Sequence, residues 1–320
     1  MHVVVTGAAG FIGSHTCERL VARGHRVTGI DGFDDYLYRA DVKRRNAREL
    51  AKLPASQFTL VEGNICDPTA IERTITKDVD VVCHLAALAG VRPSIVEPLR
   101  YLRTNIEGTG VIAERMRALG LRRLVFASSS SVYGARPGQS EAFREDDPCI
   151  SPASPYAATK RMNELQLSTY RDLFGIGVFA LRFFTVYGPR QRPEMAIAKF
   201  VAAIARGAPI TLYGDGSSRR DYTFIDDIVS GTVAAIERIE AGRFEIYNLG
   251  GTSTVSLAEL VGKIERIVGK QAIIDRQPDQ PGDVPITYAN VDRARAALGY
   301  EPTTRIDDGL ARYWEWVQQQ

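Results

Sequence analysis

The sequence predicts an α/β protein with a doubly wound parallel sheet, and three observations support this prediction. Short β-branched runs alternate with helical patterns over the first half of the chain. Runs such as residues 3–5 and 79–82 are apolar almost throughout, which is typical of parallel strands covered on both faces. A glycine-rich turn joins the first run to the first helical pattern. Together these features predict a Rossmann-type sheet with helices on both sides.

The predicted strands follow one another at regular intervals. We expect them at residues 2–6, 26–30, 58–62, 79–84, 123–128, 177–182 and 244–249. Segments 190–216 and 257–274 look like insertions and added helices. We therefore predict a nucleotide-binding domain over residues 1–175, joined by the strands at 177–182 and 244–249. A smaller α/β C-terminal substrate-binding lobe, interleaved with that domain, is predicted mainly over residues 183–320.

Composition excludes several classes of protein. The chain has 320 residues, of which 45% are hydrophobic and 24% are charged, as in ordinary globular proteins. A net charge of +2 gives no global attraction to nucleic acid or to an anionic membrane, and the basic stretch 43–48 is typical of a solvated helix face. The four cysteines are scattered, without metal-ligand spacing. We expect a cytoplasmic protein with a small-molecule substrate, and neither a metal nor a leader segment.

The first strand runs into a glycine turn and then into an amphipathic helix that extends to Ala22. Glycine lets the backbone approach a pyrophosphate closely, and a helix N-terminus offers it free N–H groups. Asp31 ends the second strand about twenty residues later, where a carboxylate binds ribose hydroxyls. That carboxylate favours NAD over NADP, although Arg39, Lys43 and Arg44 follow it. The predicted dinucleotide contacts in this turn are Gly7, Gly10, Phe11, Ile12 and Gly13.

The candidate catalytic residues come from one strand end and one helix. A serine run, 128–131, follows the strand at 123–128, and Tyr156 and Lys160 lie one helical turn apart. Residues four apart share a helix face, so both side chains point into one cleft. We expect the lysine charge to lower the pKa of the tyrosine from its usual value of about 10. Ser129 is the predicted hydrogen-bond donor to the reacting oxygen.

These motifs resemble the extended short-chain dehydrogenase/reductases that act on nucleotide sugars. Segments 7–13, 84–87, 128–134, 181–184 and 220–222, with Asp31, Asn105, Tyr156 and Lys160, fall in the order of that family. The resemblance implies adenine contacts at Asn64 and Ile65, although the family more often has Asp at the first position. It also implies that Leu85, Ala86 and Ala87 pass beneath the cofactor with Asn105 nearby, that Lys160 holds the nicotinamide ribose, and that Arg220 meets the substrate diphosphate.

Two departures from other members narrow the activity that the resemblance implies. Ser130 and Ser131 stand where the sugar 4,6-dehydratases have an Asp-Glu pair, which disfavours dehydration. Thr185 stands where most relatives have Asn, and with segment 190–196 it is similar to the epimerases of UDP-glucuronate and UDP-galacturonate. Segment 280–284, which includes Asp283, points the same way. We expect bound NAD⁺, a transient 4-keto sugar, and a carboxylate held by Thr185 and Arg192.

Several alternatives stay open at this stage. A UDP-glucuronate decarboxylase shares every step up to the keto acid, and a 4-epimerase of neutral UDP-hexoses would not need Arg192. A cofactor-binding regulator without catalysis is the alternative outside enzymes. Helices near residues 106–119 and 156–173 resemble those through which relatives dimerise, so we expect a homodimer. Further expected substrate contacts are Ser130 and, as walls for uracil, Phe200, Leu212 and Tyr213.

Overall fold

The computed structural model describes residues 1–135, 141–251, 253–278 and 286–320. The strands, in chain order, are β1 His2–Thr6, β2 Arg26–Asp31, β3 Phe58–Glu62, β4 Val81–His84, β5 Arg123–Ser129, β6 Gly177–Phe183, β7 Thr185–Tyr187, β8 Pro209–Tyr213, β9 Arg219–Arg220, β10 Tyr222–Phe224, β11 Phe244–Leu249, β12 Val255–Ser256, β13 Ile273–Gln277 and β14 Ile286–Thr287.

The helices alternate with these strands through the first half of the chain. They are α1 Phe11–Ala22, α2 Ala40–Leu50, α3 Pro68–Thr74, α4 Val91–Val96, α5 Pro98–Tyr101, α6 Gly108–Leu119, α7 Pro155–Phe174, α8 Ala196–Arg206, α9 Ile225–Arg238, α10 Leu257–Val268, α11 Asp292–Leu298 and α12 Ile306–Gln318. A π-helical turn, Leu102–Glu107, precedes α6, and a 3₁₀ turn, Ser130–Tyr133, follows β5.

The central sheet has seven parallel strands in the order β11-β6-β5-β4-β1-β2-β3. The chain first builds outward from β1 through β2 and β3, and then returns to the other side of β1 with β4. This reversal opens a crevice at the carboxyl ends of β1 and β4, where ligands of such sheets bind. The predicted fold class is confirmed, and the late strands β6 and β11 lie in this sheet.

Two apolar cores cover the two faces of the sheet. Val3 and Val5 belong to the core that contains residues of α1 and α9, whereas Val4 belongs to the core that contains residues of α3 and α6. This alternation follows from the two-residue period of a strand. Burial on both faces explains why β1 reads as a continuous apolar run.

The second half of the chain adds small sheets above the carboxyl edge. Strand β7 pairs with β10, β8 pairs with β13, and β9 lies between β12 and β14. Residues of β7 line the crevice, but the division into lobes at residues 175 and 183 stays a proposal. Within the described ranges, no helix is both long and apolar enough to cross a membrane.

Candidate active site

The glycines of the turn after β1 stand at positions that are packed too tightly for a side chain. Gly7 has φ +69°, and a Cβ there would lie 3.0 Å from the backbone of Ala86. A Cβ on Gly13 would lie 2.0 Å from the carbonyl oxygen of Gly7. Helix α1 starts with Gly10 as its N-cap, and no side chain caps it. The turn therefore presents bare backbone N–H groups to the crevice, as a pyrophosphate requires.

Asp31 lies at the end of β2 beside this turn. Its Oδ2 accepts a hydrogen bond from Ala9 N at 3.1 Å and its Oδ1 accepts one from Phe33 N at 2.9 Å. Burial raises the pKa of this carboxyl, and its two backbone hydrogen bonds and the charge of Lys43 oppose the rise. Each carboxylate oxygen keeps a lone pair for a ribose hydroxyl.

The basic residues after Asp31 are held by other groups. Arg39 pairs with Asp41 and Arg44 with Glu62 at the surface, and Lys43 donates to the carbonyl oxygen of Asp34 at 2.7 Å. Lys43 also lines the cleft, so it is the acidic residue at the ribose position that favours NAD over NADP, which carries a 2′-phosphate there.

The cleft continues from the glycine turn toward β5 with a volume of about 440 Å³, within the usual range for ligand sites. Of the predicted cofactor contacts, its walls include Gly7, Gly10, Phe11, Ile12, Gly13, Asp31, Asn64, Ile65, Leu85, Ala86, Ala87, Tyr156 and Lys160.

Asn105 differs from these predicted contacts because it lies behind the wall. Its Oδ1 accepts from Leu88 N at 2.8 Å, and its Nδ2 donates to Leu88 O at 2.9 Å and to Thr159 Oγ1 at 3.0 Å. With the side-chain amide engaged in this way and the residue 1% exposed, we reassign Asn105 from cofactor contact to support of the segment under the cofactor.

The catalytic candidates converge at the far end of this cleft. Helix α7 begins where the Ser154 hydroxyl accepts from Ala157 N at 3.1 Å, and it carries Tyr156 and Lys160 on one face. The Ser129 hydroxyl at the end of β5 donates to Ser131 Oγ at 3.1 Å, and it lies near enough to the phenol of Tyr156 to favour its phenolate. Lys160 is buried, and its Nζ donates to Ala127 O at 2.7 Å.

The pKa of Tyr156 departs from the sequence-based expectation. Burial raises its pKa above the usual 10, whereas the Ser129 hydrogen bond and the charge of Arg192 oppose the rise. Burial also lowers the pKa of Lys160 to about 7, against the opposing charge of Glu164. Desolvation thus outweighs the groups that favour the phenolate, and the charge among those groups belongs to Arg192 and not to Lys160.

A buried ion pair supports this catalytic corner. Glu164, one turn beyond Lys160, accepts two hydrogen bonds of 2.9 Å from Arg182 on β6. The same carboxylate accepts from the Ser128 hydroxyl at 2.6 Å. Since Ser128 directly precedes Ser129, this network fixes the end of β5 against α7.

Thr185 and Arg192 bring a hydroxyl and a guanidinium to the sugar end of the cleft. Thr185 starts β7 and donates its backbone N–H to Asp221 O at 3.2 Å. Together with Ser129 and Ser130, both predicted residues line the same cleft as Tyr156. A second, larger groove of about 1440 Å³ shares Thr185 and extends along α8.

The groove contains some of the predicted nucleotide contacts. Phe200, Tyr213 and Arg220 line it. Leu212 does not: it is 1% exposed and packs in the core beneath the groove, so we withdraw it as a wall for uracil. Strand alternation explains the correction, because Tyr213 and Leu212 point to opposite faces of β8. Asp283 lies outside the described residues.

Three residues of the site have no role that the sequence alone predicts. The guanidinium of Arg92 lies 4.4 Å from the ring centroid of Tyr213, at the groove. Tyr101 packs edge-on against Tyr156 with ring centroids 6.3 Å apart. Glu194 forms an ion pair with Arg192. Glu194 follows Pro193 and belongs to a segment that the sequence analysis names. Nothing in the sequence places Arg92 or Tyr101 beside the cleft.

A glycine turn and an acidic strand end, with a tyrosine, a lysine and a serine beside them, are typical of dinucleotide-dependent enzymes that act on a hydroxyl. Comparison with known proteins agrees with this class. The NAD dependent epimerase/dehydratase family matches residues 3–250, and the chain belongs to that family.

Individual relatives match along their whole length. A UDP-glucuronate 4-epimerase of Thermodesulfobacterium geofontis is 38% identical over 99% of this chain and 96% of its own length. The solved UDP-glucuronic acid 4-epimerase of Bacillus cereus, in complex with UDP-glucuronic acid and NAD, is 37% identical with a TM-score of 0.92, covering 100% of this chain and 99% of that one.

A relative with a different named substrate is also similar. The UDP-glucose 4-epimerase of Thermus thermophilus, solved with NAD, is 30% identical with a TM-score of 0.89, covering 99% of each chain. The predicted family and the predicted cofactor, NAD, are confirmed by these findings.

Proposed function

We propose that the protein interconverts UDP-glucuronate and UDP-galacturonate by inverting carbon 4 of the sugar. The observation that carries this proposal is the presence of Thr185 and Arg192 on the wall that also contains Tyr156. A guanidinium and a hydroxyl are the groups that hold a carboxylate. The names of the similar Thermodesulfobacterium and Bacillus proteins agree with this substrate.

The cofactor fits the cleft through contacts of three kinds. The glycine turn would hold the pyrophosphate, Asp31 the adenosine ribose, and Lys160 the nicotinamide ribose. NAD⁺ bound there supplies the acceptor, and later the donor, of the hydride at carbon 4. Because the reaction ends with the cofactor in its starting state, we expect it to stay bound through purification.

Tyr156 acts as the proton acceptor and donor. As a phenolate it takes the proton of the sugar 4-hydroxyl, and it returns the proton to the carbon-4 oxygen after the keto sugar has turned about its diphosphate linkage and presents its opposite face. Burial works against this phenolate, so the site needs its opposing groups. Ser129 and Arg192 supply them, and the Ser129 hydroxyl also orients the reacting oxygen.

The carboxylate requires separate control because oxidation at carbon 4 gives a β-keto acid. Such an acid loses carbon dioxide when the bond to the carboxylate aligns with the carbonyl π system. A bidentate contact from Arg192 and a hydrogen bond from Thr185 hold the carboxylate near the ring plane, where this alignment is poor.

Incubation of the purified protein with UDP-glucuronate, without added cofactor, tests the proposal. We expect UDP-galacturonate of unchanged mass to form. A UDP-pentose as the main product would identify a decarboxylase, and activity confined to UDP-glucose would identify an epimerase of neutral sugars. Absence of turnover together with tight UDP-glucuronate binding would favour the regulator.

We further propose a homodimer formed through α7 and its neighbours. Apolar side chains on adjoining elements are exposed: Leu165 on α7 by 53%, Leu99 on α5 by 77% and Val96 on α4 by 78%. Exposed apolar side chains on helices that pack together are typical of an interaction surface. We expect a dimer in sedimentation velocity and a shift toward monomer for Leu165→Glu; a monomeric parent protein would contradict the proposal.

The compartment we propose is the cytoplasm. Cys17, Cys66, Cys83 and Cys149 are all free thiols in the structure, as in proteins of a reducing compartment.

A further inference from the structure

The connection between β7 and α8 brings an arginine and a glutamate together across a proline. Arg192, Pro193 and Glu194 form a turn closed by a hydrogen bond of 3.2 Å from Met195 N to Arg192 O. Arg192 Nε lies 3.2 Å from Glu194 Oε1. Both side chains are largely shielded, with 19% and 29% of their surfaces exposed.

The carboxylate of Glu194 is in an unusual state for an acidic side chain. Neither of its oxygens is open to solvent, and neither has a hydrogen-bond partner among the described residues. Since an ionised carboxylate without water or donors is costly, the nearby guanidinium is what compensates its charge. Glu194 is also the only ion-pair partner of Arg192 in the part of the chain that the structure describes.

The pair faces the catalytic tyrosine and its neighbours. The charge of Arg192 acts on the phenols of Tyr156, Tyr101 and Tyr38, and that of Glu194 acts on Tyr101 and Tyr38. Arg192 lines the cofactor cleft, whereas Glu194 lines the groove on the other side of the turn. The glutamate therefore approaches the guanidinium from the groove and not from the cleft that contains Tyr156.

We propose that Glu194 is a positioning residue for Arg192. Glu194 attracts the Nε edge of the guanidinium and so turns its two terminal nitrogens toward the sugar. There a substrate carboxylate accepts a hydrogen bond from each nitrogen. The inference rests on the proposed function, since it assigns this arrangement to a uronate substrate. It assigns to Glu194 an indirect role in specificity, without contact between Glu194 and the sugar.

Loss of this orientation has a defined chemical consequence. If Arg192 rotates, the substrate carboxylate turns out of the ring plane once carbon 4 is a ketone. The bond between carbon 5 and the carboxylate carbon then breaks, and carbon dioxide leaves. The electron pair of that bond enters the enolate, which takes one proton from solvent to give a UDP-4-keto-pentose. The yield of carbon dioxide therefore reports on the orientation of Arg192.

The experiment compares Glu194→Gln, Glu194→Asp and the parent protein, each with its retained cofactor. Gln keeps the size of the side chain and removes its charge, whereas Asp keeps the charge. For Glu194→Gln we expect the dissociation constant and KM for UDP-glucuronate to rise about 10-fold. We also expect a clear gain in carbon dioxide per turnover, little change in UDP-glucose affinity, and partial restoration by Asp.

Glu18→Gln is the matched control. Glu18 on α1 pairs with Arg190, two residues before Arg192, at 2.7 Å, so the control removes the glutamate partner of another arginine in the same segment, and Glu18 does not line the cleft. We expect its KM and its carbon dioxide yield to equal those of the parent.

The outcomes separate this inference from the proposed function. If the parent does not epimerise UDP-glucuronate, the proposed function fails first. If the parent does so and Glu194→Gln matches it in affinity and carbon dioxide yield, the positioning role alone is wrong. Tighter binding of UDP-glucuronate by Glu194→Gln also overturns it, because Glu194 would then compete with the substrate for Arg192.

Discussion

The two ends of the active-site cleft differ in how far the protein completes its own interactions. At the nucleotide end, the glycine positions of the turn leave no room for a side chain, and both oxygens of Asp31 accept backbone hydrogen bonds. At the sugar end, Arg190 has a positive φ of 63°. Four of the eight buried, unpartnered side-chain atoms among the described residues belong to Arg190, Gln191 and Glu194.

This difference matches what each end has to do. A cofactor that stays bound is served by a rigid, self-sufficient cradle. A sugar that must leave one face and return by the other is better served by a segment whose polar groups are not all fixed by partners within the protein. The comparison predicts that changes at the nucleotide end abolish function as a whole, whereas changes at the sugar end alter specificity.

Substitution at the catalytic corner, where the two ends meet, has the largest expected effect. Tyr156→Phe removes the group that moves the proton, and we expect turnover to fall roughly 10²- to 10⁴-fold with the bound cofactor retained. Steady-state kinetics on UDP-glucuronate measures this. Tyr170→Phe is the control, since Tyr170 lies on the same helix and donates to Glu114 at 2.6 Å, far from the chemistry. A modest loss in Tyr156→Phe would exclude it as the acid–base.

At the nucleotide end, we expect the addition of one methyl group to prevent cofactor binding. In Gly13→Ala the new Cβ would lie 2.0 Å from the carbonyl oxygen of Gly7. The turn must therefore open, and its N–H groups no longer point toward the pyrophosphate. We expect the purified variant to carry no dinucleotide, measured after acid release. In the control, Gly262→Ala in α10, the new Cβ would lie 4.0 Å from the side chain of Arg266, and we expect this variant to be more stable by up to about 1 kcal/mol. Normal cofactor content in Gly13→Ala would contradict the rigid cradle.

The same contrast explains what the sequence predicts well. The nucleotide end depends on local features, namely a buried strand, bare glycines and a carboxylate at the next strand end. Each is visible in the sequence, because a glycine requirement arises from backbone contacts within a few residues. The glycine turn and Asp31 accordingly lie where the sequence predicts them, as do Tyr156 and Lys160, whose helical spacing is also local.

The sugar end depends on contacts between distant segments, and there the sequence is less informative. Leu212 and Tyr213 are adjacent, and only the pairing of β8 decides which of them faces the groove. The sequence places Asn105 with the cofactor contacts, but its partners Leu88 and Thr159 come from other elements. The predicted lowering of the Tyr156 pKa is wrong for a similar reason, since burial depends on the whole fold and not on Lys160 alone.

The sugar end is tested by Arg192→Met, which retains bulk and removes the charge. Loss of hydrogen bonds to a charged group costs about 1.5 to 3 kcal/mol, so we expect kcat/KM on UDP-glucuronate to fall about 10- to 100-fold. Affinity for UDP-glucose, measured by calorimetry on the same variant, should change much less. Equal losses for both ligands would mean that Arg192 serves the fold and not the carboxylate.

The smallest expected effect is a pH dependence of stability that belongs to Lys160. Its pKa is lowered by burial to about 7 in the folded protein, whereas in an unfolded chain it is about 10.4. Between these values the unfolded chain binds more protons, so the free energy of unfolding contributed by this residue rises with pH. Below about pH 7 both states are protonated, and the cost of the buried charge is constant.

The slope from one such group is at most about 1.4 kcal/mol per pH unit. In urea titrations we expect the free energy of unfolding of Lys160→Met to lack this contribution between about pH 7 and pH 9. The free energy of unfolding of the variant, relative to that of the parent, therefore falls as the pH rises. Because Met also leaves Ala127 O without the Nζ donor, the difference in slope, and not the difference at one pH, is the diagnostic quantity. Parallel curves for the two proteins would show that the folded protein keeps this lysine charged well above pH 7, which would make it a stronger electrostatic partner for the Tyr156 phenolate than its burial implies.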